Sequence, residues 1–183
     1  MDKELKRQLF HMAVGLAALL VLLHFGRGFA IATAFFTIII GTLLINLRLR
    51  GRKIPIVQWF EKEFERAGAP LPGWGSACYA TGVLMLLATL SDVNEIAASI
   101  FILAIGDGVS TILGRRGRMR IPYNQEKTVE GAAAFFVSSL PALAFAGPMA
   151  VPAIALATIA ETLPVLEDNL IIPVACMTFF LVF

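Results

Sequence analysis

Charge is what this chain is short of. Asp, Glu, Lys and Arg make up 15% of its 183 residues, and hydrophobic residues make up 58%. Soluble domains carry about 25% charged and about 45–50% apolar residues, so an ordinary water-soluble fold is excluded. The chain has two cysteines, Cys78 and Cys176. Both lie in apolar runs with no CxxC pair, which excludes a thiolate metal centre and a disulfide framework and predicts two buried thiols. Neither a Walker-type phosphate loop nor a protein-kinase glycine loop is present. The period-2 alternation of a membrane barrel is missing too, as are repeats and low-complexity tracts. The first apolar run is followed by Phe25-Gly26-Arg27 rather than by a small-x-small cleavage site, so it is expected to stay attached.

What remains is a series of apolar segments, at roughly 9–25, 29–47, 73–91, 93–113, 129–147, 148–163 and 170–183, set against the ~20 residues a helix needs to cross a bilayer. The last two are short by that measure. Backbone groups in lipid must be satisfied within their own segment. The expected fold is therefore all-α: a polytopic integral membrane protein of about seven transmembrane helices, forming a single catalytic domain over residues 1–183. With the N-terminus in the cytoplasm, every one of the 15 Lys and Arg residues except Arg27 falls on the cytoplasmic side, as the positive-inside rule requires. These basic loops follow from topology and anionic headgroups rather than from nucleic-acid binding. The stretch 54–68 puts Ile56, Val57, Phe60 and Phe64 on one helical face and Glu61, Lys62, Glu65 and Arg66 on the other. It predicts a short amphipathic helix lying in the interface.

Some charges are not explained by topology. Asp107 lies inside the fourth segment between Gly106 and Gly108. A carboxylate at that depth costs a few kcal/mol and needs a partner or a wet cavity, and the glycines allow a ligand or a neighbouring helix to come close. Arg115 and Arg116 open a basic loop. Lys127 and Glu130 follow at helical spacing near the start of the fifth segment, where Thr128 or Asn124 could cap the helix and its N-terminal end would favour an anion. A second acidic group comes from Glu161, Glu167, Asp168 and Asn169, for which capping of the last helix by Asp168 and Asn169 is the plain alternative. Carboxylates for a hard cation, with a lysine and arginines for phosphate oxygens, describe a nucleotide-phosphate site with Mg²⁺.

Four stretches resemble the CTP-dependent polyprenol kinase group, which includes dolichol, phytol and CTP-dependent diacylglycerol kinases and is distantly related to phosphatidate cytidylyltransferases. They are ELKRQLFHMAVG, with Arg7 and His11 one turn apart; INLRLRGRKIPIVQWFEKEFER; GDGVSTILGRRGRMRIPYNQEKTVEG; and AETLPVLEDNLIIP. The last two are the specific ones. Gln125-Glu126 replaces the Ser-Pro usual before Lys-Thr in the cytidylyltransferases, whose terminal His-Gly-Gly and Asp-Arg signature is absent. The resemblance implies transfer of the γ-phosphoryl group of CTP to the hydroxyl of a membrane isoprenoid alcohol. It implies Asp107, Glu161 and Asp168 at the metal, Lys127 and Thr128 at phosphate, Glu130 and Asn169 as positioning groups, and Arg115 and Arg116 at the triphosphate. Arg7 and His11 are further binding candidates, and a homodimer is the implied assembly. The alternatives are a lipid cytidylyltransferase and a small cation- or proton-coupled transporter. His24 is expected to be structural. Small residues in GAAAFFVSSLPALAFAG either pack helices or form an isoprenoid groove.

Overall fold

The structure, a computed structural model, describes residues 2–65, 68–165 and 167–183. Helix makes up 80% of it. In chain order come α1 (Lys3–Leu49), α2 (Pro55–Phe64), α3 (Trp74–Thr89) and α4 (Val93–Phe101), then a π turn (Ile102–Gly106) and α5 (Asp107–Gly114). A short hairpin of β1 (Arg120–Ile121) and β2 (Asn124–Thr128) leads into α6 (Val129–Ser139), α7 (Leu143–Ala146), α8 (Ala150–Thr162) and α9 (Asp168–Val182). Single 3-10 turns join α6 to α7 and α7 to α8. The runs Lys3–Leu49, Val93–Gly114 and Val129–Thr162 are long and apolar enough to cross a membrane, and α3 and α9 are shorter apolar helices. This is a membrane protein.

Two of the long runs double back. A straight helix of 47 residues would be about 70 Å long. Yet Lys6 near its start lies 2.7 Å from Glu63, and Arg48 near its end lies 3.2 Å from Glu61, both on the ten-residue α2. The reversal is at Gly26, with φ 78° and ψ 171°, a conformation that a β-carbon disfavours. The segments expected at 9–25 and 29–47 are thus the two legs of one hairpin. Val129–Thr162 also folds on itself: Lys127, just before it, is ion-paired with Glu161 near its end. Its break comes at Gly147, with φ 56°, followed by Pro148.

These reversals gather the basic residues at one end of the bundle. Asp2 meets Arg115 at 2.5 Å, the Trp74 indole donates to Glu167 at 3.1 Å, and the hairpin latches onto the end of α8 through Tyr123 Oη and Thr162 Oγ1 at 2.8 Å. Arg27 sits at the other end, donating to the carbonyls of Leu87 at 2.7 Å and Ala88 at 3.0 Å. Between the ends, Leu86, Ile96, Ile100, Leu103, Phe135, Ile154 and Ile172 form a fully buried core. Such contacts hold helices together in lipid by close packing rather than by water exclusion. Cys78 and Cys176 are buried on α3 and α9.

The fold is all-α as expected, and the β1–β2 hairpin is a local addition that the sequence did not signal. Residues Asn124–Thr128 are polar and carry no alternation of apolar side chains, so they gave no strand signal. The amphipathic helix expected over 54–68 is shorter, ending at Phe64. Glu65 is extended, and its carboxylate takes the Gly73 amide at 2.5 Å; Arg66 lies outside the described residues. Phe60 and Phe64 pack on Phe10, with ring centroids 5.3 and 4.7 Å away.

Candidate active site

Asp107 begins α5 immediately after the π turn, 5% exposed. A π turn shifts the backbone bonding register and is frequent at functional sites. Within it, the Leu103 carbonyl meets His11 Nε2 of α1 at 3.3 Å, and the same nitrogen lies 3.5 Å from Asp107 Oδ2. The flanking glycines admit helices rather than a ligand. A β-carbon on Gly106 would lie 2.5 Å from Ser139 Oγ and 3.0 Å from the Phe135 ring, and one on Gly108 would lie 2.6 Å from Met12. Asp107 is therefore clamped between α1 and α6.

Glu161, in the last turn of α8 and 1% exposed, and Asp168, the first residue of α9, converge on it. Asp107, Glu161 and Asp168 each bring one carboxylate oxygen within 4.8 Å of the others. Lys127 Nζ donates to Glu161 Oε1, and to Asp168 Oδ2 at 2.8 Å. Ser110 Oγ, one turn after Asp107, donates to Glu161 Oε1 at 2.9 Å. Burial pulls the Lys127 ammonium down, but the carboxylates of Asp168, Glu161 and Asp107 outweigh it and hold its pKa above the ordinary lysine value. Three carboxylates against one ammonium leave a formal excess of two negative charges in a buried place. Hard oxygen donors carrying that excess fit a divalent cation such as Mg²⁺.

Two cavities approach this cluster: the polar one reaches it through Lys127, Glu161 and Asp168, and the apolar one comes as near as His11, the neighbour of Asp107. One, of ≈ 650 Å³, is mostly apolar and runs between the two legs of α1, α2 and α3; His11, Tyr79 and Asn169 line it, and Ala17, Ala18, Ala30 and Ala34 give it room. The other, of ≈ 1140 Å³, is polar and is lined by Arg115, Arg120, Lys127, Thr128, Glu161 and Asp168. Trp74 and Glu167 line both. The apolar cavity lies on α1 and α3, not along the small residues of α6, which pack against their neighbours: Gly131 lies against Gly114.

The remaining candidates separate by position. Thr128 is the N-cap of α6, accepting from the Gly131 amide at 3.1 Å, and faces the cleft. Lys127 and Glu130 do not share a helical face as expected, because Lys127 is in β2. Glu130 turns away from the acidic cluster, and its carboxylate takes the backbone amides of Arg118 at 2.8 Å and Met119 at 3.2 Å, pinning the basic loop. Arg115 and Arg116 are both exposed, and of the two only Arg115 lines the cleft. Arg7 forks onto Glu4 at 3.1 and 2.5 Å and borders the apolar cavity. Asn169 also borders the apolar cavity and is not in the polar cleft. Neither Asp168 nor Asn169 caps α9; the cap position is Glu167, and it makes no side-chain cap bond. His24 bonds the Leu20 carbonyl at 3.0 Å, one turn back on its own helix. Sequence reasoning missed Ser110, Arg120 and Tyr79. The i, i+3 spacing of Ser110 from Asp107 was a usable signal; Tyr79, in a featureless apolar run, offered none.

No protein-family profile and no solved structure matches the chain. It is 34% identical over 137 residues to an uncharacterized protein of Methanocaldococcus jannaschii, covering 75% of this chain and 69% of that protein. It is 28% identical over 165 residues to a probable chloroplastic phytol kinase 1 of Glycine max, covering 73% of this chain and 52% of the plant protein. It is also 28% identical over 144 residues to a probable chloroplastic phytol kinase 2 of Oryza sativa subsp. japonica, with 77% and 47% covered. The chain thus spans about half the length of these two plant relatives. Taken with these matches, the motifs that meet at the acidic cluster show that the chain belongs to the polyprenol and phytol kinase family.

Proposed function

We propose that this protein is a single-domain, seven-span membrane kinase, with its N-terminus and catalytic end in the cytoplasm, that transfers the γ-phosphoryl group of CTP to the hydroxyl of a membrane isoprenoid alcohol. The observation that carries this reading is the acidic cluster itself, with Glu161 and Asp168 in a polar cleft bordered by cations and Asp107 beside His11, which lines an apolar cavity. A lipid alcohol and a nucleotide triphosphate need that pair of compartments, and phosphoryl transfer asks the protein chiefly for positioning and charge neutralisation. The seven apolar legs support seven crossings, and the gathering of cations at the catalytic end supports its cytoplasmic side. CTP as the donor follows from the family resemblance, and the alcohol from the phytol kinase relatives.

In this mechanism Asp107, Glu161 and Asp168 are the residues that would hold Mg²⁺. When bound, the ion neutralises charge on the transferred phosphate. Lys127, already between two of the carboxylates, swings to a phosphate oxygen. Arg115 and Arg120 hold the outer phosphates, and Thr128 at the start of α6 adds a helix N-terminus. The alcohol oxygen bonds to the γ-phosphorus, the bond from that phosphorus to the β–γ bridging oxygen breaks, and CDP leaves. The hydroxyl proton passes to the cluster through His11 and Asp107, the pair joining the apolar cavity to it.

The test is purified protein with Mg²⁺, phytol and CTP labelled in either the α or the γ position. Label from the γ position on the lipid, with none from the α position, is the expected result. Label from the γ position in pyrophosphate would make the protein a cytidylyltransferase.

A further inference from the structure

A thin wall separates the apolar cavity from the polar cleft. Among the described residues, Trp74 and Glu167 alone line both, and they are bonded to each other, the indole Nε1 donating to Glu167 Oε1 at 3.1 Å. The chain crosses the wall at this point, for Asp168 lines the cleft and Asn169 the cavity. The other approach to the cluster is closely packed. His11 lies 3.3 Å from the Leu103 carbonyl and 3.5 Å from Asp107, and Met12 fills the space over Gly108. A proton can pass along those contacts, but a carbon-bound oxygen cannot. The backbone on both sides of the wall is fixed. Trp74 follows Gly73, whose left-handed conformation (φ 74°) is held by the Glu65 carboxylate on its amide at 2.5 Å. Glu167 is held through its carbonyl, which takes the Leu170 and Ile171 amides at 2.9 and 3.0 Å at the start of α9. Its side chain makes no cap bond and is turned to the indole instead. One hydrogen bond therefore closes the wall, and a change of rotamer opens it without moving a helix.

We propose that Trp74 and Glu167 form a gate that sets the acceptor specificity of the reaction, admitting the lipid hydroxyl from the apolar cavity to the γ-phosphate and keeping water from taking its place. The inference rests on the kinase reading for the reaction and adds the pair that decides which oxygen attacks. Attack on phosphorus is roughly in line with the leaving oxygen. A nucleotide whose phosphates lie among the cations of the cleft is then attacked from the side that the wall covers. Closed, the indole excludes water from that side; opened, it lets the hydroxyl through. Where the gate fails, water is the acceptor. Its oxygen bonds to the γ-phosphorus, the bond from that phosphorus to the β–γ bridging oxygen breaks, and CDP, inorganic phosphate and a proton leave.

The experiment has one arm without turnover and one with it. In the first, protein carrying Cys78→Ala and Cys176→Ala receives a single cysteine on the apolar side (Ala80→Cys) or in the cleft (Gln125→Cys) and is labelled in lipid nanodiscs with an anionic methanethiosulfonate. With the wall intact, Ala80→Cys should react at least about tenfold more slowly than Gln125→Cys. Adding Trp74→Phe or Glu167→Leu deletes the closing hydrogen bond and should speed the reaction of Ala80→Cys about tenfold, the factor that one such bond gives. Glu167→Gln keeps the accepting oxygen and should stay within about twofold. In the second arm, γ-labelled CTP, Mg²⁺ and phytol give the ratio of inorganic phosphate to phosphorylated phytol. That ratio should rise about tenfold in Trp74→Phe and Glu167→Leu and hold in Glu167→Gln. A variant that only folds less well loses both products together and leaves the ratio where it was. Equal labelling of the two cysteines behind an intact wall overturns the gate, and that comparison needs no gate variant to fold. An unchanged labelling rate in both Trp74→Phe and Glu167→Leu overturns it as well. If labelling follows the two residues but no lipid is phosphorylated, the barrier stands and the kinase reading falls. If phytol is phosphorylated with an unaltered phosphate ratio in both variants, the kinase reading stands and the gate falls.

Discussion

Replacing Lys127 with Met tests the electrostatics of the cluster most sharply. The ammonium bridges Glu161 and Asp168, and its removal leaves three carboxylates with oxygens within 4.8 Å of one another. At an effective dielectric of about 20, each like-charge pair at that separation costs about 3 kcal/mol. Breaking a buried ion pair by deleting one partner costs about 3–5 kcal/mol in measured cases. Lys127→Met should therefore lose about 3–5 kcal/mol of unfolding free energy in chelator. The methionine stem fills nearly the same space, so the loss is electrostatic rather than a cavity effect. The assay is denaturant unfolding of the detergent-solubilised protein, first in EDTA and then with added Mg²⁺. Mg²⁺ should stabilise the variant more than the wild type, because a dication replaces the missing charge. A variant within about 1 kcal/mol of the wild type in EDTA would refute the reasoning, since the carboxylates would then not be mutually repelling charges.

The two cavities yield further expectations. Arg115→Ala and Arg120→Ala should each raise the nucleotide KM about tenfold, as loss of a charge-assisted phosphate contact does. Arg116→Ala, outside the cleft, should stay within about twofold, and steady-state kinetics with varied CTP separates them. Thr128→Ala removes the cap of α6 and should cost about 1 kcal/mol in an unfolding titration. Gly106→Val drives a side chain into Ser139 and Phe135, and should cost about 1–3 kcal/mol and displace Asp107, lowering turnover beyond what the stability loss explains.

Asp107, Glu161 and Asp168 stood out in the sequence because a charge inside or beside an apolar helix is costly enough to need a reason. The structure brings these three together. The reversals at Gly26 and Gly147 were legible for a similar reason, since each falls where a glycine and a polar or proline residue interrupt an apolar run. The partnership of Lys127 was not legible through its spacing. Helical periodicity pairs it with Glu130, but the backbone there is a strand, and a five-residue polar strand held by one neighbour leaves no pattern of its own. The π turn before Asp107 was hidden too, because ILAIG fits an ordinary helix equally well and the register shift arises from packing against α1 and α6. The apolar cavity could not be placed from one segment. It exists only where the two legs of α1 part beside α3, and alanines spaced along a membrane helix look the same whether they pack or line a space.

The central claim is that carboxylates from α5, α8 and α9 hold one divalent ion. Mn²⁺ can stand in for Mg²⁺, and its binding to purified protein without nucleotide can be followed by loss of the free-ion paramagnetic resonance signal in the wild type, Asp107→Asn, Glu161→Gln and Asp168→Asn. The account predicts one saturable site in the wild type that is weakened at least about tenfold in every variant. Equal Mn²⁺ binding by the wild type and all three variants would contradict it.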